Sequence, residues 1–156
     1  MFGPLPRHFF LTSGAGDAST GLNAFDAALL DAKVGDTNLI KLSSILPPAA
    51  EQIEPYMLPK GSMVPLAYGE LVAYEPGAVI SASVAVGIPV DPTNAGLIME
   101  CSRFGDAALC EEACREMVRE GMEAIRGLKI KEIKSISATH TVKRVGAVFA
   151  AVVLCP

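Results

Sequence analysis

Near its C-terminus the chain runs VGAVFAAVVLC, residues 145–155, without one charged side chain. A helix needs about 20 apolar residues to span a bilayer, so this run is too short to cross one and reads as a buried strand over 145–154. Whatever fold the chain adopts must supply cover for that strand. The segment VISASVAVGIP makes a similar demand: Ser81, Ser83 and Ala85 alternate with Ile80, Ala82, Val84 and Val86. That pattern suits a sheet packed on both faces.

The remaining segments provide the partners. RHFFLTS reads as a first strand and NLIKLSS as a second, with the glycine-rich loop GAGDASTGLN and a short helix, AFDAALLDAK, between them. Gly35 helps to end that helix. MVPLAYGELVAYE and VISASVAVGIP are expected to pair across the turn PGA. AGLIMECS is a further short strand, residues 106–126 a long helix, and LKIKEIKSISATHTV a strand whose alternation slips at Ile133, predicting a bulge. Residues 45–62 contain four prolines and read as a long ordered loop. Many strands and two helices that must cover them argue an α+β fold. At 156 residues the chain fits one domain, 1–156, with no internal repeat or low-complexity tract.

Composition narrows the function. The chain is 51% hydrophobic and 19% charged, which leaves little polar surface and suits subunit contacts as well as a monomer with a dense core. A net charge of −4 with scattered basic residues argues against a nucleic-acid partner. The start, MFGPLPRHFF, lacks the apolar core of a signal peptide, so a cytoplasmic protein without membrane partners is expected. In that reducing setting Cys101, Cys110, Cys114 and Cys155 are read as thiols. Cys110 and Cys114, four apart, share an apolar helix face with Met117, Val118 and Ile125. No metal site is expected, because CxxC spacing and histidine clusters are both missing.

Candidate reactive residues are few. SGAGDASTG is neither GxGxxG nor GxxxxGK[ST], and Asp17 would repel phosphate, so a shaping loop is the better reading. His8 and His140 stand without an adjacent nucleophile and read as structural. Glu100 ends the apolar strand AGLIME. If buried there it would favour its protonated form and suit a proton donor, and an ordinary partly exposed strand end is the competing reading. Asp26 is a lone acid in LNAFDAALL, read locally as a first-turn acid that favours the helix dipole, or else as a site for a cation. Ser43-Ser44 ends a strand just before Pro47-Pro48.

Taken together, GLNAFDAALLDAKVGDTNLIKLSSILPP, MVPLAYG, GAVISASVAVGIP, GLIME and the closing HTV…GAVFAAVVL resemble the pyruvoyl-dependent arginine decarboxylase family, from about residue 7 to residue 154. The resemblance implies a proenzyme that cleaves itself between Ser43 and Ser44, giving chains 1–43 and 44–156. Ser44 would become the pyruvoyl cofactor, the electron sink for decarboxylation of L-arginine to agmatine and carbon dioxide. It further implies that Asn38 assists processing by polarising the Ser43 carbonyl, that Glu100 returns a proton to the substrate, and that Asp26 with Leu29 holds the guanidinium end. The implied architecture is a layered αββα sandwich, assembled as a homotrimer of cleaved protomers, or a multiple of it, with active sites between neighbours. The product would serve polyamine biosynthesis or acid resistance. Lys41 stands where the family pattern leads one to expect arginine, and the N-terminus is short. Two alternatives remain at this stage: the same chemistry on another amino acid, and an uncleaved, non-catalytic binding module.

Overall fold

In the computed structural model, which describes residues 3–156, the C-terminal apolar run forms strand β9 (Val145–Cys155), and all eleven of its residues are buried. Met1 and Phe2, the beginning of the segment read for a signal peptide, lie outside the described residues. Strand geometry sends alternate side chains to opposite faces. Val148, Ala150, Val152 and Leu154 enter one apolar cluster, while Val145, Ala147, Phe149, Ala151, Val153 and Cys155 enter another. The cover this strand requires is therefore present on both sides.

Strand β9 is the centre of a five-stranded sheet. Its order is β2 (Asn38–Lys41), β5 (Met63–Ala73), β9, β1 (His8–Ala18) and β4 (Glu51–Gln52). A second, four-stranded sheet has the order β3 (Ile45–Leu46), β7 (Gly96–Phe104), β6 (Val79–Pro89) and β8 (Ile130–Thr141), antiparallel throughout. Phe9, Leu11, Val148, Ala150, Ile80, Val84 and Val86 fill the space between the sheets. Helix α1 (Gly21–Asp31) covers the outer face of the first sheet through Ala24, Ala28 and Leu29. Helix α2 (Ala107–Arg119) covers the second through Cys114 and Val118, with Met122 just beyond its end. The layers run α, β, β, α in one domain.

Eleven residues are too few for a stable isolated helix, so α1 depends on its packing. The glycine-rich stretch expected as a loop makes that packing possible. It continues β1 to Ala18, and a Cβ at Gly14 would stand 2.3 Å from the Ala28 carbonyl oxygen. Without side chains there, the helix backbone lies directly on the strand. The helix also begins earlier than expected, at Gly21, where the Thr20 hydroxyl accepts from the Asn23 N–H at 3.3 Å. Asp26 consequently falls in the second turn, too far in to complement the dipole at the helix N-terminus.

Other expectations are corrected or met. The strands expected to pair across PGA, β5 and β6, belong to different sheets. The turn carries the chain from one layer to the other. The 45–62 segment contains the two short strands β3 and β4. Strand β8 has its irregularity opposite Ile88/Pro89, where Lys131 is the extra residue between Ile130 and Glu132. Cys110, Cys114 and Val118 line the buried face of α2 as expected, but Ile125 is 71% exposed. A π-helical turn over Glu120–Ala124 shifts the phase of the helix and turns Ile125 to the surface. Among the described residues no helix is long and apolar enough to cross a membrane.

Candidate active site

The Ser-Ser pair lies where the chain changes sheets. Strand β2 runs parallel to β5 as far as Lys41↔Leu66, and the Leu42 N–H donates to the Leu66 carbonyl at 2.9 Å. Strand β3 then pairs with β7 through Ile45↔Leu97, and the Ile98 N–H donates to the Ser44 carbonyl at 2.9 Å. Ser43 and Ser44 thus span the gap between two anchored strands. Leu46 and Pro47 are buried immediately downstream, so the exit path is fixed.

Ser44 adopts φ +76°. For a residue with a Cβ this left-handed conformation costs about 1–3 kcal/mol and persists only where the surroundings impose it. Lys33, Asp36 and Ala49 also have positive φ, each in a turn, whereas Ser44 has it on the crossover itself. The chain is continuous here, and the Ser44 hydroxyl donates to Glu100 Oε2 at 3.1 Å. Glu100 belongs to β7, opposite Val84 of β6, and is half-buried. Its strand neighbour two residues away, Ile98, points into the core between the sheets, so strand alternation directs Glu100 the same way.

The fold of the chain brings together Ser43, Ser44 and Glu100. It does not bring the other expected residues to them. Asn38 is exposed at the far end of β2, three strand steps or about 10 Å from Lys41. Its side-chain amide donates to the Gly61 carbonyl at 3.0 Å. Asp26 is exposed on the outer face of α1, between Leu22 and Leu30 at one-turn spacings, and these leucines are 78% and 52% exposed. Leu29 is buried between α1 and the first sheet. Lys41 places its ammonium 4.3 Å from the centre of the Tyr68 ring, a cation–π contact beside the crossover.

The histidines are occupied elsewhere. His140 Nε2 lies 3.0 Å from Asp17 Oδ2, and Asp17 also accepts from the Lys143 and Arg144 N–H groups at 2.8 and 3.0 Å. Hydrogen bonds from His140 first, then from the Lys143 backbone, hold the Asp17 carboxyl down at about 2. This cluster ties the end of β1 to the β8–β9 turn, which is the structural role expected of His140. His8 Nδ1 lies 2.6 Å from the Pro156 carbonyl oxygen.

Sequence reading missed Gly69. It lies in the middle of β5, facing the second sheet, and a Cβ there would be 3.3 Å from the Glu100 Cβ. An isolated glycine in a strand of bulkier residues, as in MVPLAYGELVA, is the available signal for such a close approach.

A family model described as "Pyruvoyl-dependent arginine decarboxylase" matches residues 8–156. A Methanococcus maripaludis protein of that name is 44% identical over 149 residues, covering 96% of this chain and 90% of the relative. A Methanocaldococcus jannaschii protein of the same name is 44% identical over 150 residues, with the same coverage. One from Pyrococcus abyssi is 41% identical over 154 residues, covering 97% of this chain and 96% of its own length. With a half-buried Ser-Glu contact on a strained crossover and matches that span almost every residue, this chain belongs to the pyruvoyl-dependent arginine decarboxylase family.

Proposed function

We propose that the chain cuts itself between Ser43 and Ser44 and, carrying a pyruvoyl group made from Ser44, decarboxylates L-arginine to agmatine and carbon dioxide. The observation that carries this reading is the Ser44 hydroxyl, held against Glu100 at 3.1 Å on a crossover with left-handed backbone. Glu100 accepts a hydrogen bond from the hydroxyl and so orients it. Ser44 Oγ attacks the Ser43 carbonyl carbon, the Ser43 C–N bond breaks, and the amine of residue 44 takes up the proton. The resulting ester leaves by elimination: a proton departs from the Ser44 Cα, the Cβ–O bond breaks, and Ser43 is released as a carboxylate. Tautomerisation and addition of water then expel ammonia and leave the ketone at residue 44. Relief of the strained backbone favours the first step.

The residues present fit the pyruvoyl group. The Ile98 N–H holds the Ser44 carbonyl through a contact that cleavage on the other side of residue 44 leaves intact, and Glu100 stands beside the converted side chain. When present, the group supplies the sink for the electron pair left by departing carbon dioxide. Glu100 then delivers a proton to the substrate α-carbon.

The guanidinium end needs a second protomer. Asp26 faces outward between two exposed leucines, and Asn38 lies on the edge strand β2. In a homotrimer of cleaved protomers, or a multiple of it, a neighbour supplies Asp26 with Leu29 to the guanidinium and Asn38 to the Ser43 carbonyl. The exposed leucines fit such an interface, and a carboxylate meets a planar guanidinium bidentately.

Glu100→Gln separates the two reactions. Glutamine keeps an oxygen to accept from Ser44, so cleavage proceeds, but it carries no transferable proton. Turnover of the cleaved variant is expected to fall about 10²-fold or more, as loss of a general acid does. Turnover near wild type, followed as carbon dioxide release, would remove Glu100 from the mechanism.

A further inference from the structure

We infer that Gly69 is the positioning residue for Glu100: the hydrogen it carries in place of a side chain leaves the space in which the Glu100 stem lies. The inference rests on the reading of Glu100 as proton donor. Sheets packed face to face usually stand about 10 Å apart, with side chains filling the gap. At Gly69 the gap narrows almost to backbone contact. A Cβ there would meet the Cys101 carbonyl oxygen at 3.1 Å, and the Glu100 Cβ and Ser83 carbonyl oxygen at 3.3 Å each.

Apolar neighbours crowd the Glu100 stem on the side facing the first sheet. Ala67 and Leu71 flank Gly69 on the same face of β5, Ala150 pairs with it from β9, and Val84 faces Glu100 from β6. Ala67, Ala150 and Val84 are fully buried, and none of the four offers a polar group. The Glu100 carboxylate thus reaches Ser44 from a stem confined by apolar side chains and by the bare backbone of residue 69. A methyl group at 69 competes with that stem. Either Glu100 shifts by a few tenths of an ångström or the sheets part locally. The Ser44–Glu100 contact is already 3.1 Å, and hydroxyl hydrogen bonds weaken beyond that range. Glycine in mid-strand weakens the strand, so local stability does not account for its presence here.

The test uses cleaved Gly69→Ala, with and without Glu100→Gln. In cleaved Gly69→Ala, kcat for arginine is expected to fall about tenfold or more while KM stays within about threefold, since misplacing a reacting group lowers turnover rather than binding. Added to Glu100→Gln, the same change should lower kcat less than about twofold further, because the group it displaces has already lost its proton. A purely structural role predicts equal losses in both backgrounds, and that result, or an unchanged kcat in Gly69→Ala alone, overturns the inference. Should Gly69→Ala fail to fold, Gly69→Ala with Glu100→Gly frees the contested space. Recovery of a cooperative melt supports the inference, and continued misfolding overturns it. Normal turnover in Glu100→Gln alone would instead defeat the proton-donor reading, a different result from additive losses when Glu100→Gln is itself impaired.

Discussion

Ser44→Ala is expected to accumulate as one continuous chain of 156 residues with no decarboxylase activity. The substitution removes the attacking oxygen and the bond whose elimination generates the ketone, so neither processing nor cofactor formation can begin. The fold should persist. The Ser44 side chain makes one hydrogen bond, to Glu100, and both anchors of the crossover are backbone contacts, from Leu42 to Leu66 and from Ile98 to Ser44. Alanine bears the left-handed backbone about as serine does, so little change in stability is expected. A denaturing gel and a mass measurement distinguish the outcomes. A Ser44→Ala protein that still splits at residue 43 would rule out ester formation through Ser44.

Asp26→Asn is expected to lower kcat/KM for arginine roughly 10²–10³-fold while leaving cleavage unchanged. In the assembled site the substrate guanidinium would lose its charged partner, and breaking one side of a desolvated pair has effects of that order. Asp26 is exposed on α1 and lies outside the core beneath that helix, so its substitution should not disturb folding. The informative comparison sets cleaved wild type and cleaved Asp26→Asn against arginine, lysine and ornithine, following carbon dioxide release. A wild type that prefers lysine, or a variant that equals wild type on arginine, would defeat the assignment. Loss of cleavage in Asp26→Asn would show instead that Asp26 supports the fold or the assembly.

The layers of the fold were legible because strand burial leaves a direct mark on sequence. An apolar run such as 145–155 has to be covered on both faces, and the alternation in 79–89 separates Ile80, Ala82, Val84 and Val86 from Ser81 and Ser83. Pairing was less legible. The PGA turn looks like a hairpin, yet β5 and β6 lie in different sheets, because a short turn between two strands does not specify whether they pair or stack. The glycine-rich segment reads as a loop but forms strand, because glycine favours loops and also allows close backbone approach; only the position of α1 over Gly14 decides between them. At the candidate site, family resemblance singles out the Ser43-Ser44 pair and Glu100, since a serine pair has no distinguishing local pattern. Their contact joins residues 56 positions apart and depends on two sheets meeting, which no local window contains. Gly69 escaped for the same reason. Asp26 and Asn38 are exposed, and the chain's own contacts do not join them to Ser44.

The intact mass of freshly purified wild-type protein, taken under denaturing conditions, tests the central claim most directly. The account predicts two species, residues 1–43 and residues 44–156, the larger beginning with a pyruvoyl group and blocked to amine-directed sequencing. Under native conditions they should remain together, since β1 pairs with β9 along its full length and β2 stays on β5. A single species with the mass of the uncut chain, in protein that nonetheless releases carbon dioxide from arginine, would contradict it.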